Sequence, residues 1–268
     1  MVKQTLAQDY RSLARTHLVS AQALMKGSDD DLTFACLRLR QCIEALSYGL
    51  LVSYQHELSQ SAIMTWQPRR VLDELEAADP LANASREITI EIPTKGTRES
   101  MTISGEDRRF NPKWVNKAYN KLGSFLHVPT PKALEAKSEL SNDDIRRQCV
   151  EYAGFLNKIF DTPIWHFTSG QFVSHTCQCG FLIKRRVETV NRDTVFECVE
   201  CGRKYDVTRL DQNRAEIRLR VAQWTCPSCG SLNEMGAHEL REGMELNCPH
   251  CGKGFKVELA WAFRENPA

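Results

Sequence analysis

The sequence predicts a mainly α-helical amino-terminal bundle with a small inserted β-hairpin, followed by two small all-β domains at the carboxyl end. Three observations lead to this fold class. Apolar residues recur at helical spacing through most of the first 165 residues, a short stretch within them alternates apolar and polar residues, and close pairs of cysteines mark the last third. A chain of 268 residues has room for two or more domains.

Three helices are predicted before the hairpin. Apolar residues at three- and four-residue steps indicate the first helix over residues 4–27. Ser28, followed by three aspartates, is a start signal for a second, well-buried helix that runs to about Leu58. The hydroxyl can cap free N–H groups, and the acids face the positive end of the helix dipole. Pro68 opens a short third helix that closes before Pro80.

The predicted hairpin interrupts the helices. Ile88, Ile90 and Ile92 alternate with polar residues, and Met101 and Ile103 alternate again after a turn. Alternation with a period of two is typical of strands that expose one face.

Two further helices complete the predicted bundle. Asn111 and the proline after it are expected to open the fourth helix, which Pro129 ends. Ser141 and Asp144 have the spacing of a capping box, so the fifth helix is expected to run from there to Pro163. Helices of these lengths with short connections predict an up-and-down bundle.

Eight of the eleven cysteines form four close pairs, and the pairs make two near-copies of one unit. In each copy eighteen residues separate the second cysteine from the third. This spacing matches a site in which four thiolates hold one Zn²⁺ at about 2.3 Å. Such a site is structural, because four sulfurs leave no open position for water or substrate. The predicted ligands are Cys177, Cys179, Cys198 and Cys201 for one Zn²⁺ and Cys226, Cys229, Cys248 and Cys251 for the other.

The cysteine pattern predicts two zinc ribbons. A glycine follows each pair, and its access to positive φ lets the turn fold back so that N–H groups can point at the thiolates. The expected domains are a helical bundle at 1–165, a first ribbon at 172–210 and a second ribbon at 221–263.

The three remaining cysteines help to predict the cellular compartment of the protein. Cys36, Cys42 and Cys149 lie singly in apolar helical patterns, which is typical of small buried hydrophobes. No amino-terminal signal stands out, and the apolar runs are too short to span a bilayer. Thiolate metal sites without a disulfide pattern favour a reducing compartment. We therefore expect a cytoplasmic protein with no membrane partner.

Charge is placed unevenly along the chain. Residues 1–170 carry 21 basic and 21 acidic side chains, residues 171–220 carry 10 and 7, and residues 221–268 carry 4 and 6. The first ribbon is therefore the basic one. Its candidate contacts to phosphates are Lys184, Arg185, Arg186, Arg203 and Lys204. Arg214, Arg218 and Arg220 extend the basic stretch into the expected connector, although ordinary solvated surface charge is an alternative.

Two stretches of the bundle are more particular than a bundle requires. The second helix places Arg40 and Glu44 one turn apart among apolar neighbours, and the fourth helix ends with Lys121 and, beyond five intervening residues, His127. Over roughly residues 1–165 this arrangement resembles the HEPN superfamily of helical domains, in its branch of bacterial accessory and defence-associated proteins. An ordinary helical ion pair for Arg40 and Glu44, and a helix-capping role for His127, are the alternatives.

The resemblance implies a metal-independent ribonuclease, since many members carry arginine, four to six residues, then histidine. Lys121 stands where the family has arginine, and lysine lacks the planar fork that binds phosphate in two places. In this interpretation His127 is the general base on a ribose hydroxyl, Lys121 steadies the phosphate, and a homodimer through the bundle forms the cleft.

Three functions remain open on the sequence. The first is a zinc-binding, nucleic-acid-associated adaptor, in a prokaryotic defence or toxin system, whose partner is RNA, DNA or a protein. The second is the HEPN-type ribonuclease. The third is a protein-assembly module with purely structural ribbons, in which Trp224, Trp261 and Phe263 serve as aromatic anchors.

Overall fold

The computed structural model describes residues 2–93, 100–109, 111–128, 131, 141–191, 194–209, 211 and 214–258. The chain divides into two compact units, Met1–Gln171 and Phe172–Ala268. We call them the helical unit and the β unit. As predicted, the first contains helices with an inserted strand pair, and the second contains small antiparallel sheets.

One long helix forms the centre of the helical unit. It is buried along most of its length and packs against the first, fourth, fifth and sixth helices. The elements are α1 Val2–Leu24, α2 Asp31–Ser53, α3 Gln60–Ile63, α4 Pro68–Ala78, β1 Arg86–Pro93, β2 Ser100–Asp107, α5 Pro112–Ser124 and α6 Asn142–Phe160.

Two predicted helix starts are confirmed in detail. The Asn111 side chain accepts a hydrogen bond from the backbone N–H of Trp114 at 2.8 Å. Ser141 and Asp144 form a complete capping box at the start of α6. These caps satisfy N–H groups that have no partner within the helix, which is why short polar residues fix the starting points.

The prediction for the start of α2 was wrong in its capping. The helix begins at Asp31, and no side chain caps it. Instead the Asp31 carboxylate accepts from both the backbone N–H and the hydroxyl of Ser28, each at 2.8 Å. The hydroxyl of Ser28 is therefore a donor to the acid.

Four predicted helix ends were also too late: α1 ends at Leu24 and α6 at Phe160, each three residues early, and α2 and α5 differ more. The helix α2 ends at Ser53, because hydrogen bonds three residues apart, such as Glu57 N–H to the Tyr54 carbonyl, replace the α-helical ladder. The helix α5 ends at Ser124, where Leu126 donates to the Gly123 carbonyl in the same way. The short α3 has no counterpart in the sequence prediction.

The inserted hairpin is confirmed. The strands β1 and β2 pair antiparallel with Ile90 opposite Ile103 and Arg86 opposite Asp107. Its base is the buried end, where Asp107 is 1% exposed and Gly105 approaches Pro163 closely. The predicted turn at residues 94–97 lies outside the described residues.

The β unit consists of short antiparallel pairs around its cysteines. There are three strand pairs, β3–β4, β8–β9 and β10–β11, and one three-stranded sheet, β5–β6–β7. The strands are β3 Phe172–Thr176, β4 Leu182–Arg186, β5 Val195–Glu197, β6 Lys204–Arg209, β7 Ala215–Leu219, β8 Val221–Thr225, β9 Leu232–Gly236, β10 Glu245–Asn247 and β11 Gly254–Lys256. We call residues 172–219 the first cysteine module and residues 221–258 the second.

The two modules differ in their cores. The first encloses a cluster of buried apolar side chains that includes Ile183, Phe196, Tyr205 and Val207. In the second module, the described residues that are buried are Cys226, Asn233 and Cys248. The second module therefore has little apolar burial to stabilise it.

The expected connector between the modules is largely a strand. The strand β7 pairs with β6, so the sheet of the first module continues beyond residue 210. The next residue, Arg220, donates its backbone N–H to the Lys204 carbonyl at 2.8 Å and accepts at its own carbonyl from Ala237 N–H at 3.2 Å. One residue thus bonds to both modules.

Among the described helices, none combines the length and the apolar character needed to cross a membrane.

Candidate metal centres

The first cysteine group is assembled from two turns. Cys177 and Cys179 lie between β3 and β4, and Cys198 and Cys201 lie between β5 and β6. The sulfurs of Cys177 and Cys201 are 3.5 Å apart, as are those of Cys179 and Cys198. All four sulfurs lie within 4.8 Å of one another.

The second group repeats this arrangement. Cys226 and Cys229 lie between β8 and β9, and Cys248 and Cys251 lie between β10 and β11. The Cys226–Cys251 and Cys229–Cys248 sulfur pairs are each 3.7 Å apart, and all four sulfurs again lie within 4.8 Å.

These separations fit a four-thiolate metal ion. Four sulfurs arranged tetrahedrally at about 2.3 Å from an ion are about 3.8 Å from each other. A disulfide would bring two sulfurs to about 2.05 Å, far closer than any of these pairs. Each group can therefore hold one metal ion, and the two groups unite the eight cysteines that the spacing predicted.

Glycine shapes the turns, as predicted. Gly202 has φ 72° and Gly252 has φ 73°, and each donates its N–H to the carbonyl of the first cysteine in its pair. A residue with a Cβ is disfavoured at this φ. The first turn is one residue shorter than the others, because only one residue separates Cys177 from Cys179.

Hydrogen bonds stabilise thiolates in both groups. Burial disfavours the Cys177 thiolate, but the backbone N–H of Cys179 and the hydroxyl of Tyr205 outweigh it and lower the pKa of Cys177 to about 6. The side chain and then the backbone N–H of Ser231 lower the pKa of Cys229 to about 6. Burial, together with hydrogen bonds to neighbouring cysteines, raises the pKa of Cys198 to about 12 and of Cys251 to about 11. Deprotonated sulfurs are the form that binds metal, so binding of an ion releases protons from these two cysteines.

The groups around the sulfurs differ between the modules. Tyr205 donates its hydroxyl to Cys177 Sγ at 3.1 Å, and Arg203 donates to Cys201 Sγ at 3.4 Å. In the second module, Asn233 Nδ2 lies 4.0 Å from Cys248 Sγ. Such partners orient ligands and tune the metal. Tyr205 lies four residues after the last cysteine of its group, as Phe255 does in the second module, and Phe255 has no hydroxyl. The cysteine spacing alone does not predict this role for Tyr205.

The structure corrects the predicted basic surface at Arg186. Successive strand residues alternate between faces. Lys184 and Arg186 both lie over the Phe172 ring, at 5.6 and 5.2 Å from its centre, whereas Arg185 lies 5.5 Å from the Phe196 ring. Arg186 is only 3% exposed, so it cannot reach a phosphate. Lys184 and Arg185 are partly exposed and stay candidates.

The predicted extension of the basic stretch is neutralised. Arg214 pairs with Asp211, Arg218 pairs with Glu216, and Arg220 pairs with Asp206. By contrast, no acidic side chain in the described ranges forms an ion pair with Lys184, Arg203 or Lys204.

The helical unit brings Arg40 and Glu44 together with Tyr119. Tyr119 donates its hydroxyl to Glu44 Oε1 at 2.5 Å, and the Arg40 guanidinium carbon lies 4.0 Å from the centre of the Tyr119 ring. Burial, and then the bond to Glu44, raise the pKa of Tyr119. A methyl group on Gly123 would come within 2.6 Å of Arg40 Nη1, so the lack of a side chain there makes room for the arginine.

The other two candidates of the helical unit are placed separately. Lys121 lies on α5 with its Nζ 5.2 Å from the Phe125 ring. His127 is exposed and lies in a bend three residues beyond the end of α5. Within the described part of the chain, no hydrogen bond, ion pair or ring contact joins His127 to Arg40, Glu44 or Lys121. Their catalytic roles stay predictions.

Two smaller expectations have mixed outcomes. Cys36, Cys42 and Cys149 are buried as predicted, and the sulfurs of Cys36 and Cys149 are 3.5 Å apart. Trp224 packs edge-on against Phe255, with 5.8 Å between ring centres. Trp261 and Phe263 lie outside the described residues.

Comparison with known proteins found no match to this chain among family models, curated proteins or solved structures.

Proposed function

We propose that the two cysteine modules are zinc ribbons, each holding one structural Zn²⁺. Four sulfurs in a tetrahedral arrangement suit Zn²⁺ or an iron site. Neither module offers an open ligand position among its described residues, so the ion supplies folding free energy and no chemistry. Elemental analysis of the purified chain is expected to return two zinc per chain and no visible absorption from iron. Fewer than one zinc per chain, or stoichiometric iron, would contradict this assignment.

The function we infer for the chain is that of a nucleic-acid-associated adaptor that binds through the first cysteine module. The observation that carries this proposal is the set of basic side chains Lys184, Arg203 and Lys204, with which no acidic side chain of the described residues forms an ion pair, in the module with the basic charge balance. Lysine and arginine bind phosphates and release counterions, so this surface suits a polyanion.

Metal binding changes the charge that the protein presents to a polyanion. Eight thiolates and two Zn²⁺ add about four negative charges to the formal +1 of the chain. Arg203 lies against Cys201 Sγ, so part of its charge offsets that of the metal site. Lys184 and Lys204 therefore supply most of the attraction to phosphate.

The test is a salt titration of RNA and DNA binding by the zinc-loaded chain. Changing Lys184 and Lys204 together to alanine is expected to weaken binding and to reduce the slope of log K against log salt, by about 0.7 to 0.9 for each phosphate that the protein no longer neutralises. The matched control changes Lys253 and Lys256 of the second module to alanine, which leaves the slope unchanged. The proposal is rejected if the wild type binds no nucleic acid at low salt. It is also rejected if the Lys253 and Lys256 changes weaken binding as much as the Lys184 and Lys204 changes do.

For the helical unit we propose a HEPN-like bundle that docks a protein partner or a second copy of the chain, in a cytoplasmic defence or toxin system. The ribonuclease alternative has its own measurement, which is RNA cleavage in excess chelator by the wild type and by His127→Ala. Cleavage that disappears in the variant would replace the adaptor with an enzyme. If neither variant cleaves RNA and the wild type binds no nucleic acid, the assembly-module alternative remains.

A further inference from the structure

A small recess in the helical unit is walled by cationic and aromatic groups. Arg11 of α1, Arg108 and Arg109 after β2, and Trp165 and His166 after α6 line it, and apolar side chains of α2 and α6 close its floor. The recess with its open mouth measures about 330 Å³, and its enclosed part has room for one small atom or group.

Arg11, which lines this space, has a donor that no residue of the described ranges uses. Its Nη2 donates to the carbonyls of Ile159 and Phe160, each at 3.3 Å. Its Nη1 is buried and has no hydrogen-bond partner within the described ranges. A buried guanidinium N–H without an acceptor is costly, so its position indicates an acceptor that comes from outside the chain.

Positive charge around Arg11 exceeds negative charge. Arg109 is neutralised by Asp107 at 2.6 Å, and Arg108 by Glu106 at 2.5 Å. No carboxylate of the described residues forms an ion pair with Arg11 or with Arg15, the next arginine along α1. The Ile159 and Phe160 carbonyls at the end of α6 and the Phe160 and Trp165 rings compensate part of the Arg11 charge, and a water molecule or an anion could satisfy the free N–H.

Hydrogen bonds from the main chain hold one wall of the recess at His166. His166 has φ 55°, a left-handed conformation that is uncommon outside glycine. Asp107 holds it there by accepting from the backbone N–H groups of His166 and Phe167, at 3.1 and 3.0 Å. Burial, and then Arg109 and Arg11, lower the pKa of His166 to about 3, so its ring is neutral at physiological pH and adds no competing charge.

We propose that this recess binds an oxyanion, a carboxylate or phosphoryl group, with one oxygen accepting from Arg11 Nη1. The rest of the ligand occupies the open mouth beside Trp165, whose ring centre is 5.0 Å from the Arg11 guanidinium carbon. Arginine is well suited to both groups, because its N–H donors match the geometry of paired oxygens.

The test titrates the full zinc-loaded chain with sodium phosphate and, separately, sodium acetate, at an ionic strength held constant with sodium chloride. Binding is followed by tryptophan fluorescence and by the midpoint of thermal unfolding, and Trp165→Phe identifies the fluorescence signal. The variant Arg11→Gln is expected to raise the dissociation constant at least about tenfold, the loss of one charge-assisted hydrogen bond. Arg15→Gln is the matched control. Arg15 lies over the same Phe160 ring and donates to the same carbonyl, but it does not line the recess.

Each outcome decides the proposal. If only phosphate binds saturably, the ligand is a phosphoryl group; if only acetate does, it is a carboxylate. If both bind saturably, the site recognises the oxyanion that the two groups share. No saturation by either anion would mean that the recess holds only water, and an equal loss in Arg15→Gln would mean that bulk charge is responsible. Either result overturns the proposal. If Arg11→Gln does not fold, Arg11→Lys, which keeps the charge without the planar fork, is measured by the same criterion.

Discussion

The hydroxyl of Tyr205 donates to Cys177 Sγ at 3.1 Å, a contact that gives the first metal site a donor from its own core. Tyr205 is also part of the buried cluster of that module, so packing fixes its ring. The residue at the matching place in the second module is Phe255, whose ring packs on Trp224 and offers no donor. The two sites therefore differ in the support that their ligands receive.

Replacement of Tyr205 by phenylalanine is expected to weaken metal binding at the first site about tenfold or more, because it removes a hydrogen bond that stabilises the thiolate. Chelator competition at neutral pH measures the loss. The second site in the same variant is the internal control and should keep its affinity. Equal affinities of the first site before and after the change would show that the hydroxyl does not tune the metal.

Removal of the metal should affect the two modules differently. The second module has three buried residues among those described, two of them cysteines, so it is expected to unfold when a chelator takes its ion. The first module has a buried apolar cluster and should keep partial protection. Hydrogen exchange of peptides from residues 221–258 and 181–207 measures this. The helical circular dichroism should persist, and its loss would contradict independent folding of the helical unit.

A single carboxylate stabilises the base of the hairpin. Asp107 accepts from Arg109 Nε and Nη2 and from two backbone N–H groups, and both side chains of the ion pair are almost fully buried. Changing Asp107 to alanine is expected to cost about 3 to 5 kcal/mol in the free energy of unfolding, because it leaves a buried arginine uncompensated. The adjacent, partly exposed pair of Glu106 and Arg108 is the control, and Glu106→Gln should cost at most about 1 kcal/mol. Denaturant unfolding gives both values.

Acid should destabilise the helical unit through His166. Burial and the nearby arginines keep this ring neutral in the folded state down to a pKa of about 3, whereas in the unfolded chain it binds a proton near pH 6.5. The unfolded state therefore binds more protons between these values, and stability is lost as pH falls below 6.5. The slope is on the order of 1.4 kcal/mol per pH unit for one group.

Urea unfolding between pH 7 and pH 5.5, followed by helical circular dichroism, measures this slope. The control is His166→Gln, which should reduce the slope of the unfolding free energy against pH by the contribution of one proton. An unchanged slope in that variant would show that another group takes up the proton.

Local sequence signals predicted the elements that local hydrogen bonds determine. The caps at Asn111 and Ser141 involve residues three apart, and the cysteine spacing encodes the two turns of each metal site. Helix ends were less accurate: the residue that follows α2, Tyr54, donates its hydroxyl to Asp79, which is distant in the sequence. Helix propensity alone cannot predict that contact.

The recess and the burial of Arg186 were beyond the sequence for different reasons. The recess unites Arg11, Arg109 and His166, which come from three separate elements, so no spacing pattern marks it. Arg186 could have been questioned, because strand alternation puts it and Arg185 on opposite faces. Its burial depends on Phe172, the residue opposite it in β3.

Arg220 has a mechanical consequence for the β unit. Its main-chain donor and acceptor are both engaged, one by each module, and its side chain is tied to Asp206. A change of backbone conformation at Arg220 would therefore break a hydrogen bond to one module or to the other.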